Sequence, residues 1–480
     1  MNQLETPLIE ALKEYCSKNK VGFHVPAHRQ GKALPREMLQ QEKFFQWDLT
    51  EVPGLDDLHN PRQAIARAQR LAADLYQSRE CYFIINGTSA GLVALILATC
   101  GPGDVLVMPR NVHRSVLTGL ILSGARPVYL YPPLLDEFGI PSILAPEKLN
   151  RCLEKYPAAA VLMVHPSYYG IAEKIAPMAE ITHRYGIPLL VDEAHGAHFR
   201  FHSELPADAL SGGADAVVQS THKVGGALTQ ASMLHLNSHR VDKMRLEECL
   251  RMVQSTSPSY ILMASLDAAR RQLAAEGSVL IDKSLRVARK LRQKISALPG
   301  VKVLSPHHLN DCDILLIDET RLVINVQETG LTGFQAAEIL SDNYGVQVEM
   351  ADYYNIVVLL GLNAGEQDGR ALYQALFKLV TENKGNSSAV FSAPQPPRVV
   401  QAVTPRQAWL SKVKVISLEE AAGKISADSV AVYPPGVPAL CPGEIVSEEM
   451  IDYLLEVRKR KLHVQCSGDV TLNTIRVLNI

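Results

Sequence analysis

The chain has 480 residues, of which 47% are hydrophobic and 20% charged, and its 48 Lys and Arg against 50 Asp and Glu give a formal net charge of −2. This composition is typical of a globular protein with a sizeable core and excludes a mainly disordered, collagenous or coiled-coil chain. The balanced charge, without a basic tail, argues against a nucleic-acid partner. At roughly 100–200 residues per domain, the length predicts two to four domains.

The uncharged stretch between Glu80 and Asp104 is long enough to cross a bilayer. Polar residues at 86–89 interrupt it, so we expect a buried strand, a polar turn and a buried helix, and no membrane partner. The N-terminus contains acids, which is typical of an amphipathic helix and not of a signal peptide. The eight cysteines are scattered without a CxxC pair. This pattern predicts no disulfide framework and no metal site, and it favours the reducing cytoplasm.

Residues 1–60 are predicted to form one helix followed by an irregular arm. The arm holds the segments Phe23–Lys32 and Glu51–Pro61, both rich in Gly, Pro, His and Asp. Neither segment has the spacing of a helix or a strand. An arm of this length is usually functional or packed on a partner.

Residues 61–298 alternate between short apolar runs and helical stretches. Strands are predicted at residues 81–85, 104–108, 127–131, 160–164, 188–191 and 214–218, and helices at 62–77, 89–99 and 114–123. This alternation predicts an α/β fold in which a mostly parallel sheet is buried between helices. A long helix at 261–298 is expected to bridge two domains.

The sequence pattern of the last third of the chain predicts two smaller domains. Residues 299–383 combine strands at 321–326, 346–349 and 355–360 with helices at 333–343 and 366–380, which indicates a small α/β domain. The Ser- and Pro-rich segment 384–398 is typical of a linker. Residues 399–480 are predicted to form a C-terminal domain, which contains the segment Tyr433–Glu444.

Polar residues that follow predicted strands are the candidate site residues, because ligands of open α/β sheets bind beyond the carboxyl ends of the strands. The segment Asn86–Ser89 follows the first strand and opens a helix, which is the pattern of a phosphate cradle; simple capping by Thr88 or Ser89 is the alternative. Asp192 follows the strand at 188–191. An acid at the end of a strand can be a metal ligand, a general base or a partner for a cationic ring nitrogen. A simple helix cap is the alternative.

Lys223 follows the strand at 214–218, with Ser220 and His222 beside it. Half-burial would lower its pKa and make the amine a nucleophile for a Schiff base, whereas a surface lysine is the alternative. His113 is placed either to stack on a ring or as a plain loop histidine. A phosphate cradle, an acid and a lysine are together the parts of a pyridoxal phosphate site: they anchor the phosphate, keep the pyridine nitrogen protonated and bind the aldehyde.

The segments NGTSAG, RNVHRS, VDEAHGAH and STHK resemble those of the bacterial ornithine/lysine/arginine decarboxylase family, which has the aspartate-aminotransferase fold. PAHRQG, LDDLH, STSPSY and YPPGVPALCPGE extend the resemblance over nearly the whole chain. It is strongest to the short biosynthetic arginine decarboxylases of the Bacillus type. The resemblance implies fold type I of the pyridoxal phosphate enzymes, with a seven-stranded, mostly parallel sheet. It also implies a homodimer or dimer of dimers, with the site at the subunit interface.

The resemblance further implies a role for each candidate residue. Lys223 binds the cofactor aldehyde, Asp192 pairs with the pyridine nitrogen, His113 and Ala194 contact the two ring faces, and His195 lies near the phenolic oxygen. Thr88, Ser89, Ser220 and His222 bind the phosphate, and Thr256 reaches the phosphate of the neighbouring subunit's cofactor. Glu444 is expected to meet the distal cation of the substrate, with Asp56 and Asp57 as further candidates. A helix-start acid is the alternative for Glu444.

The expected reaction is decarboxylation of a basic amino acid, L-arginine to agmatine first, with lysine to cadaverine or ornithine to putrescine as alternatives. An aminotransferase of the same fold would need an arginine to clamp the substrate carboxylate, for which Arg370 and Arg321 are available. The intact Lys223 and Asp192 argue against a catalytically silent regulator. A nucleotide-binding enzyme is disfavoured, because NGTSAG has neither GxGxxG nor Walker spacing.

Overall fold

The computed structural model describes residues 1–18, 24–32, 34–35, 38, 42–309, 315–383, 394–433 and 436–479. Residues 384–393 of the predicted linker, Phe23 of the arm and residues 434–435 lie outside this range. Within it, no helix is both long enough and apolar enough to cross a bilayer.

The N-terminal segment packs onto the large domain. Helix α1 (Pro7–Ser17) buries Leu8 and Leu12 completely, and the backbone N–H of Leu8 donates to Oδ2 of Asp267 at 3.1 Å. A one-turn helix, Glu42–Phe45, lies in the arm, and α2 (Ala64–Tyr76) follows it. The apolar side of α1 therefore becomes part of the main core.

Seven strands form the central sheet: β1 (Glu80–Ile84), β2 (Val105–Pro109), β3 (Arg126–Leu130), β4 (Ala158–Val164), β5 (Leu189–Asp192), β6 (Ala216–Gln219) and β7 (Ser232–Leu236). Their order is β1-β7-β6-β5-β4-β2-β3, and within this sheet β7 alone runs in the direction opposite to the other six strands. The predicted α/β fold with a mostly parallel seven-stranded sheet is confirmed. Strand β7 was not predicted, because Ser232 and His235 interrupt its apolar pattern.

Successive residues of the parallel strands are buried on opposite faces of this sheet. Val107 and Val161 belong to the core on one face, and Leu106 and Leu162 belong to the core on the other. Helices cover both faces: α3 (Gly87–Thr99), α4 (Arg114–Ser123), α5 (Pro146–Lys155), α6 (Ile175–Arg184), α7 (Thr221–Val224) and α8 (Lys243–Val253). Burial on both faces explains why these strands are continuous apolar runs.

The 37-residue helix α9 (Tyr260–Ser296) joins the cores of two domains. It begins where the side chain of Ser259 accepts a hydrogen bond from the backbone N–H of Leu262. Its first part buries Tyr260 in the large-domain core, and its last part buries Ile295 in the core of the next domain. The predicted bridging helix is therefore confirmed.

The small domain has an antiparallel sheet of β8 (Lys302–Val303), β9 (Arg321–Asn325), β10 (Met350–Ala351) and β11 (Asn355–Leu359), with α10 (Gly333–Tyr344) and α11 (Glu366–Glu382). The strand predicted at 346–349 was wrong, because Val346 still closes the C-terminal turn after α10 and the strand begins only at Met350. The N–H of Val346 donates to the carbonyl of Leu340 at 2.8 Å after Gly345 turns the chain at φ +65°. Two short ribbons complete this region, Leu134–Leu135 with Ile140–Pro141 and Ile171–Glu173 with Leu315–Ile317.

The C-terminal residues enclose a core of their own. It contains β12 (Val413–Ser417), β13 (Val430–Val432), β14 (Pro438–Leu440), β15 (Val464–Cys466) and β16 (Thr474–Leu478), with α12 (Pro405–Leu410) and α13 (Glu448–Lys459). The side chain of Arg406 attaches this region to α4 by donating to the carbonyl of Ile121 at 2.8 Å. The domain boundaries at 60, 298, 383 and 398 stay predictions.

Glu173, in the ribbon between the large and small domains, gives a pH-dependent prediction. It is buried, its Oε2 has no hydrogen-bond partner within the described chain, and burial raises its pKa to about 8. In the unfolded chain this carboxyl loses its proton near pH 4.5, whereas in the folded protein it keeps its proton up to about pH 8. The free energy of unfolding therefore falls as the pH rises from 4.5 to about 8. We expect Glu173→Gln to resist denaturant better than wild type, by a margin that grows to a few kcal/mol at about pH 8.

The matched control is Glu180→Gln, at an exposed position of α6. Denaturant titrations of the three proteins at several pH values measure the margin. A Glu173→Gln margin that stays constant with pH would show that this carboxyl does not take up a proton on folding.

Candidate active site

The carboxyl ends of three strands meet at one edge of the central sheet. β5 and β6 are adjacent and parallel, and β1 runs in the same direction because β7 is antiparallel to both β1 and β6. The residues that follow these strands therefore come together. They line a cavity of about 400 Å³, formed by Gly87, Thr88, Ser89, Leu92, His113, Val164, Pro166, Tyr168, Asp192, Ala194, His195, Ser220, His222, Lys223, Thr229 and Gln230.

One end of this cavity is a hydroxyl-rich cradle at the start of α3. Gly87 has φ +75°, which L side chains rarely adopt, so a glycine suits this turn. A Cβ at Gly91 would lie 2.7 Å from Cγ1 of Val218, so Gly91 lets α3 sit close to β6. Oγ1 of Thr88 contacts Oγ of Ser220. No side chain of the described chain caps the N-terminus of α3, which leaves its first N–H groups for an anion.

Asp192 ends β5 and is only 5% exposed. One of its oxygens accepts a hydrogen bond from the N–H of Ala194 at 3.1 Å. Burial raises the pKa of this carboxyl, and the nearby ammonium of Lys223 opposes that rise. A cation beside Asp192 would therefore favour its ionised form.

Lys223 lies in the single turn of α7, directly after β6. Its Nζ is 3.0 Å from Nε2 of His195, and Nδ1 of His195 is 3.0 Å from a terminal nitrogen of Arg321. Burial lowers the pKa of the lysine, and Asp192 partly compensates. Burial, followed by the charge of Arg321, holds the pKa of His195 well below its usual range. The imidazole is therefore neutral near pH 7.

Two further histidines border the cavity. His113 caps α4 by accepting from the backbone N–H of Ser115, and burial lowers its pKa to about 4. It is thus a neutral, flat surface suited to stacking on a ring. The Nδ1 atom of His222 is 2.9 Å from the carbonyl oxygen of Ala231. A carbonyl only accepts, so Nδ1 carries a proton and donates it, and Nε2 is the other ring nitrogen able to form a hydrogen bond.

Thr256, Asp56 and Asp57 do not line this cavity. Thr256 is exposed, although the adjacent residue, Ser255, donates its N–H to Oδ1 of Asn86 beside the cradle at 3.1 Å. Asp56 is buried and accepts four backbone N–H bonds at the start of α2, from Arg62, Gln63, Ile65 and Ala66. Oδ1 of Asp57 accepts from the N–H of His59 at 2.8 Å. Asp56 is therefore a helix cap within this chain.

Glu444 is fully buried and already has a cationic partner. Its two oxygens pair with the guanidinium of Arg110, which follows β2, and Oε2 also accepts from the N–H of Cys441 at 2.7 Å. Helix α13 begins only at Glu448, so Glu444 is not a helix-start acid either. The role of Glu444 as partner of the substrate's distal cation stays a prediction, and a substrate cation would have to displace Arg110 to reach this carboxylate.

The Arg110–Glu444 pair gives a stability prediction. Glu444→Gln leaves a buried guanidinium without its counter-ion, which should lower the free energy of unfolding by about 3 kcal/mol. The double variant Arg110→Met/Glu444→Gln should be more stable than Glu444→Gln alone, because no charge is then left unpaired. Denaturant unfolding measures both. Unchanged stability combined with a raised KM would instead place Glu444 in the substrate pocket.

The structure gives both candidate clamp arginines other partners. Arg370 is exposed on α11 and lies 3.5 Å from Glu366, whereas Arg321 is 2% exposed and bound to His195. Sequence reasoning missed Tyr168, although it follows β4 and the strand-end rule would have found it. Thr229 and Gln230 were missed because they precede the unpredicted strand β7.

The residues of the cavity fit pyridoxal phosphate. The cradle supplies hydroxyls and helix N–H groups for the phosphate, Asp192 supplies a buried carboxylate for a cationic ring nitrogen, and Lys223 supplies the amine. His113 supplies a neutral ring for stacking. Each chemical part of the cofactor thus has a matching group.

Comparison with known proteins agrees with this chemistry. Residues 6–368 match the model of the Orn/Lys/Arg decarboxylase major domain, and residues 385–464 match that of the C-terminal domain. The arginine decarboxylase of Bacillus subtilis (strain 168) is 38% identical and covers 100% of this chain and 99% of its own length. The constitutive lysine decarboxylase of Escherichia coli (strain K12) is 24% identical over 95% of this chain and 78% of its own length.

Solved structures share the fold. The Francisella novicida lysine decarboxylase LdcF superimposes with a TM-score of 0.85 at 21% identity, covering 99% of this chain and 81% of its own. An alanine–glyoxylate aminotransferase from Nostoc sp. superimposes with a TM-score of 0.55 at 18% identity, covering 66% of this chain and 86% of its own. The cofactor implied by the family and the fold is pyridoxal 5′-phosphate. The chain belongs to the Orn/Lys/Arg decarboxylase family and is an amino-acid decarboxylase.

Proposed function

We propose that this protein converts L-arginine to agmatine and carbon dioxide. The observation that carries the proposal is a single cavity that contains Lys223, Asp192 and the cradle of Thr88 and Ser220. Arginine is supported as the substrate by the arginine decarboxylases of B. subtilis and Bacillus anthracis, which are 38% and 37% identical over the full chain. Lysine and ornithine are the alternative basic substrates.

The cofactor-binding roles follow from the walls of the cavity. Thr88, Ser89, Ser220 and His222 would hold the phosphate, His113 and Ala194 would contact the ring, and Asp192 would pair with the pyridine nitrogen. Bound pyridoxal phosphate supplies an electron sink for the pair of electrons released from the Cα–carboxylate bond. His195 then lies beside the amine of Lys223, with Nε2 of its ring 3.0 Å from Nζ.

The side chains of this chain perform the proton work. Asp192 keeps a proton on the pyridine nitrogen, because a buried carboxylate is stabilised most by a cation beside it. Lys223 would hold the cofactor through its amine and, once released from it, would return a proton to Cα of the substrate. Its lowered pKa makes the uncharged amine more available near neutral pH than in an exposed lysine.

The distal guanidinium of arginine would fit a second cavity of about 400 Å³ that shares Tyr168 with the first. Its walls include the rings of Tyr131, Tyr168, Tyr169, Tyr353 and Tyr354, and also Asp352 and Arg110. A planar guanidinium stacks on aromatic rings and pairs with carboxylates, which favours arginine in such a pocket. Glu444 lies behind Arg110, and Asp57 stays a further candidate acid.

We further propose a homodimer or dimer of dimers in the cytoplasm, with Thr256 reaching the neighbouring subunit's cofactor. The exposed Thr256 beside the Ser255–Asn86 contact supports this arrangement. The seven described cysteines are free thiols, as expected in a reducing compartment. Sedimentation velocity measures the assembly, and a fully active monomer would exclude a shared site.

Turnover of arginine, lysine and ornithine with added pyridoxal phosphate tests the activity. Carbon dioxide and the product amine are measured together with keto-acid release. We expect equimolar carbon dioxide and agmatine, and the highest kcat/KM with arginine. A higher kcat/KM with lysine or ornithine would identify that amino acid as the substrate instead of arginine. Release of keto acid without carbon dioxide would indicate transamination.

A further inference from the structure

Arg321, His195 and Lys223 form a continuous row of nitrogen contacts. A terminal nitrogen of Arg321 is 3.0 Å from Nδ1 of His195, and Nε2 of the same ring is 3.0 Å from Nζ of Lys223. Arg321 and His195 are 2% and 6% exposed. The other terminal nitrogen of the guanidinium donates to the carbonyl of Tyr168 at 2.5 Å, which fixes its orientation. Each contact therefore has a definite direction of proton donation.

The direction follows from the chemistry of the three groups. A guanidinium has only N–H donors, so Nδ1 of His195 must accept from Arg321. A neutral imidazole carries one proton, which then resides on Nε2. That N–H points at Nζ of Lys223, which can accept it only through a lone pair. An ammonium has no lone pair, so the row is complete only when Lys223 is an uncharged amine.

Doubly protonated His195 does not satisfy the same contacts. Its Nδ1–H would face the N–H groups of Arg321, and its charge would lie between two other cations. Burial and Arg321 accordingly hold the pKa of this imidazole well below its usual range. Neutral His195 with its proton on Nε2 is therefore the form that is compatible with the contacts to both Arg321 and Lys223.

We propose that Arg321 is a positioning residue that fixes the tautomer of His195 and thereby holds Lys223 as the uncharged amine that reacts with the cofactor aldehyde. This inference rests on the proposed function. In that reaction the lone pair of Nζ adds to the aldehyde carbon, and both protons of the amine leave with the carbonyl oxygen as water. Arg321 begins β9, so the small domain controls the reactive amine of the large domain.

Other charged groups also act on this row, and the test must separate them. The charges that reach Lys223 are those of Asp192 and Glu349, which favour the ammonium, and that of Arg321, which disfavours it. Those that reach His195 belong to Arg321, Lys223, His113 and His222. Loss of Arg321 removes both a nearby cation and the donor to Nδ1. Both changes favour the ammonium of Lys223.

The first measurement uses the full-length chain stripped of cofactor. The rate of covalent attachment of pyridoxal phosphate is followed by visible absorbance from about pH 6 to about pH 10 for wild type and Arg321→Met. Because only the uncharged amine reacts, the rate falls as the pH drops through the pKa of Lys223. We expect the midpoint of Arg321→Met to lie roughly one pH unit above that of wild type.

The matched control is Arg292→Met. Arg292 is also buried, at 8% exposure, and it donates to the carbonyls of Leu304 and Arg321 without touching His195. Its loss loosens the same region, so its midpoint should equal that of wild type. An unchanged midpoint in Arg321→Met, or an equal shift in Arg292→Met, would overturn the proposal.

A second measurement needs no variant of Arg321 and no turnover. ¹⁵N spectra of the wild-type histidines, with His195 assigned from His195→Gln, report which ring nitrogen carries the proton. We expect Nε2; a proton on Nδ1 refutes the inference even if attachment is normal. Wild type that never attaches pyridoxal phosphate refutes the proposed function instead, whatever the tautomer.

Discussion

Replacing Lys223 with alanine is expected to reduce decarboxylation by roughly ten-thousand-fold or more, because the variant lacks the amine that we propose binds the cofactor and moves the proton. Lys223 is the lysine of the cavity, with Nζ 3.0 Å from His195. Truncation removes a partly buried amine whose charge is unfavourable there, so the fold should remain intact. Carbon dioxide release and circular dichroism measure the two effects.

Lys243→Ala is the control for Lys223→Ala, because Lys243, at the start of α8, forms a surface ion pair with Glu80 of β1 and does not line the cavity. It should retain wild-type turnover. If Lys223→Ala also retained decarboxylation, another group would have to bind the aldehyde. The cavity at the end of β5 and β6 would then not be the active site.

Asp192→Asn is expected to retain the cofactor but to lose at least about a hundredfold in kcat, comparable to the loss of one strong electrostatic contact in an active site. The amide no longer stabilises a cation on the pyridine nitrogen, so the bound ring becomes a weaker electron sink. KM should change much less, since we propose that Asp192 contacts the cofactor and not the substrate. Steady-state kinetics and absorbance of the bound cofactor measure these effects separately.

Asp208→Asn is the matched control for Asp192→Asn. Asp208 is a buried acid of the same domain that pairs with Arg200 at 3.2 Å and does not line the cavity. It should lower stability more than kcat. A wild-type kcat in Asp192→Asn would mean that the pyridine nitrogen has another partner.

Much of this site was predictable because its residues directly follow strands that can be recognised from short stretches of sequence. The strand ending at Asp192 and the strand preceding Ser220 are apolar runs, and a parallel sheet brings their carboxyl ends to one edge. The turn Asn86–Ser89 was predictable because glycine and hydroxyl residues precede an apolar helix. The strand predictions thus located the cavity without any long-range contact.

The remaining features depend on partners far apart in the sequence. Glu444 meets Arg110 across 334 positions, so the sequence indicated a partner for the substrate cation but not the ion pair that the fold forms. Arg321 reaches His195 across 126 positions, and no local pattern indicates that contact. Strand β7 was missed because its hydrogen bonds to β1 and β6, and not hydrophobic spacing, determine it.

The most direct test of the central claim is to identify the lysine that binds the cofactor. The holoenzyme is reduced with borohydride, digested and analysed by mass spectrometry, with Lys223→Ala treated in parallel. We expect a pyridoxyl group on the wild-type peptide that contains Lys223 and none in the variant. A pyridoxyl group on any other lysine, or unlabelled wild-type protein, would contradict it.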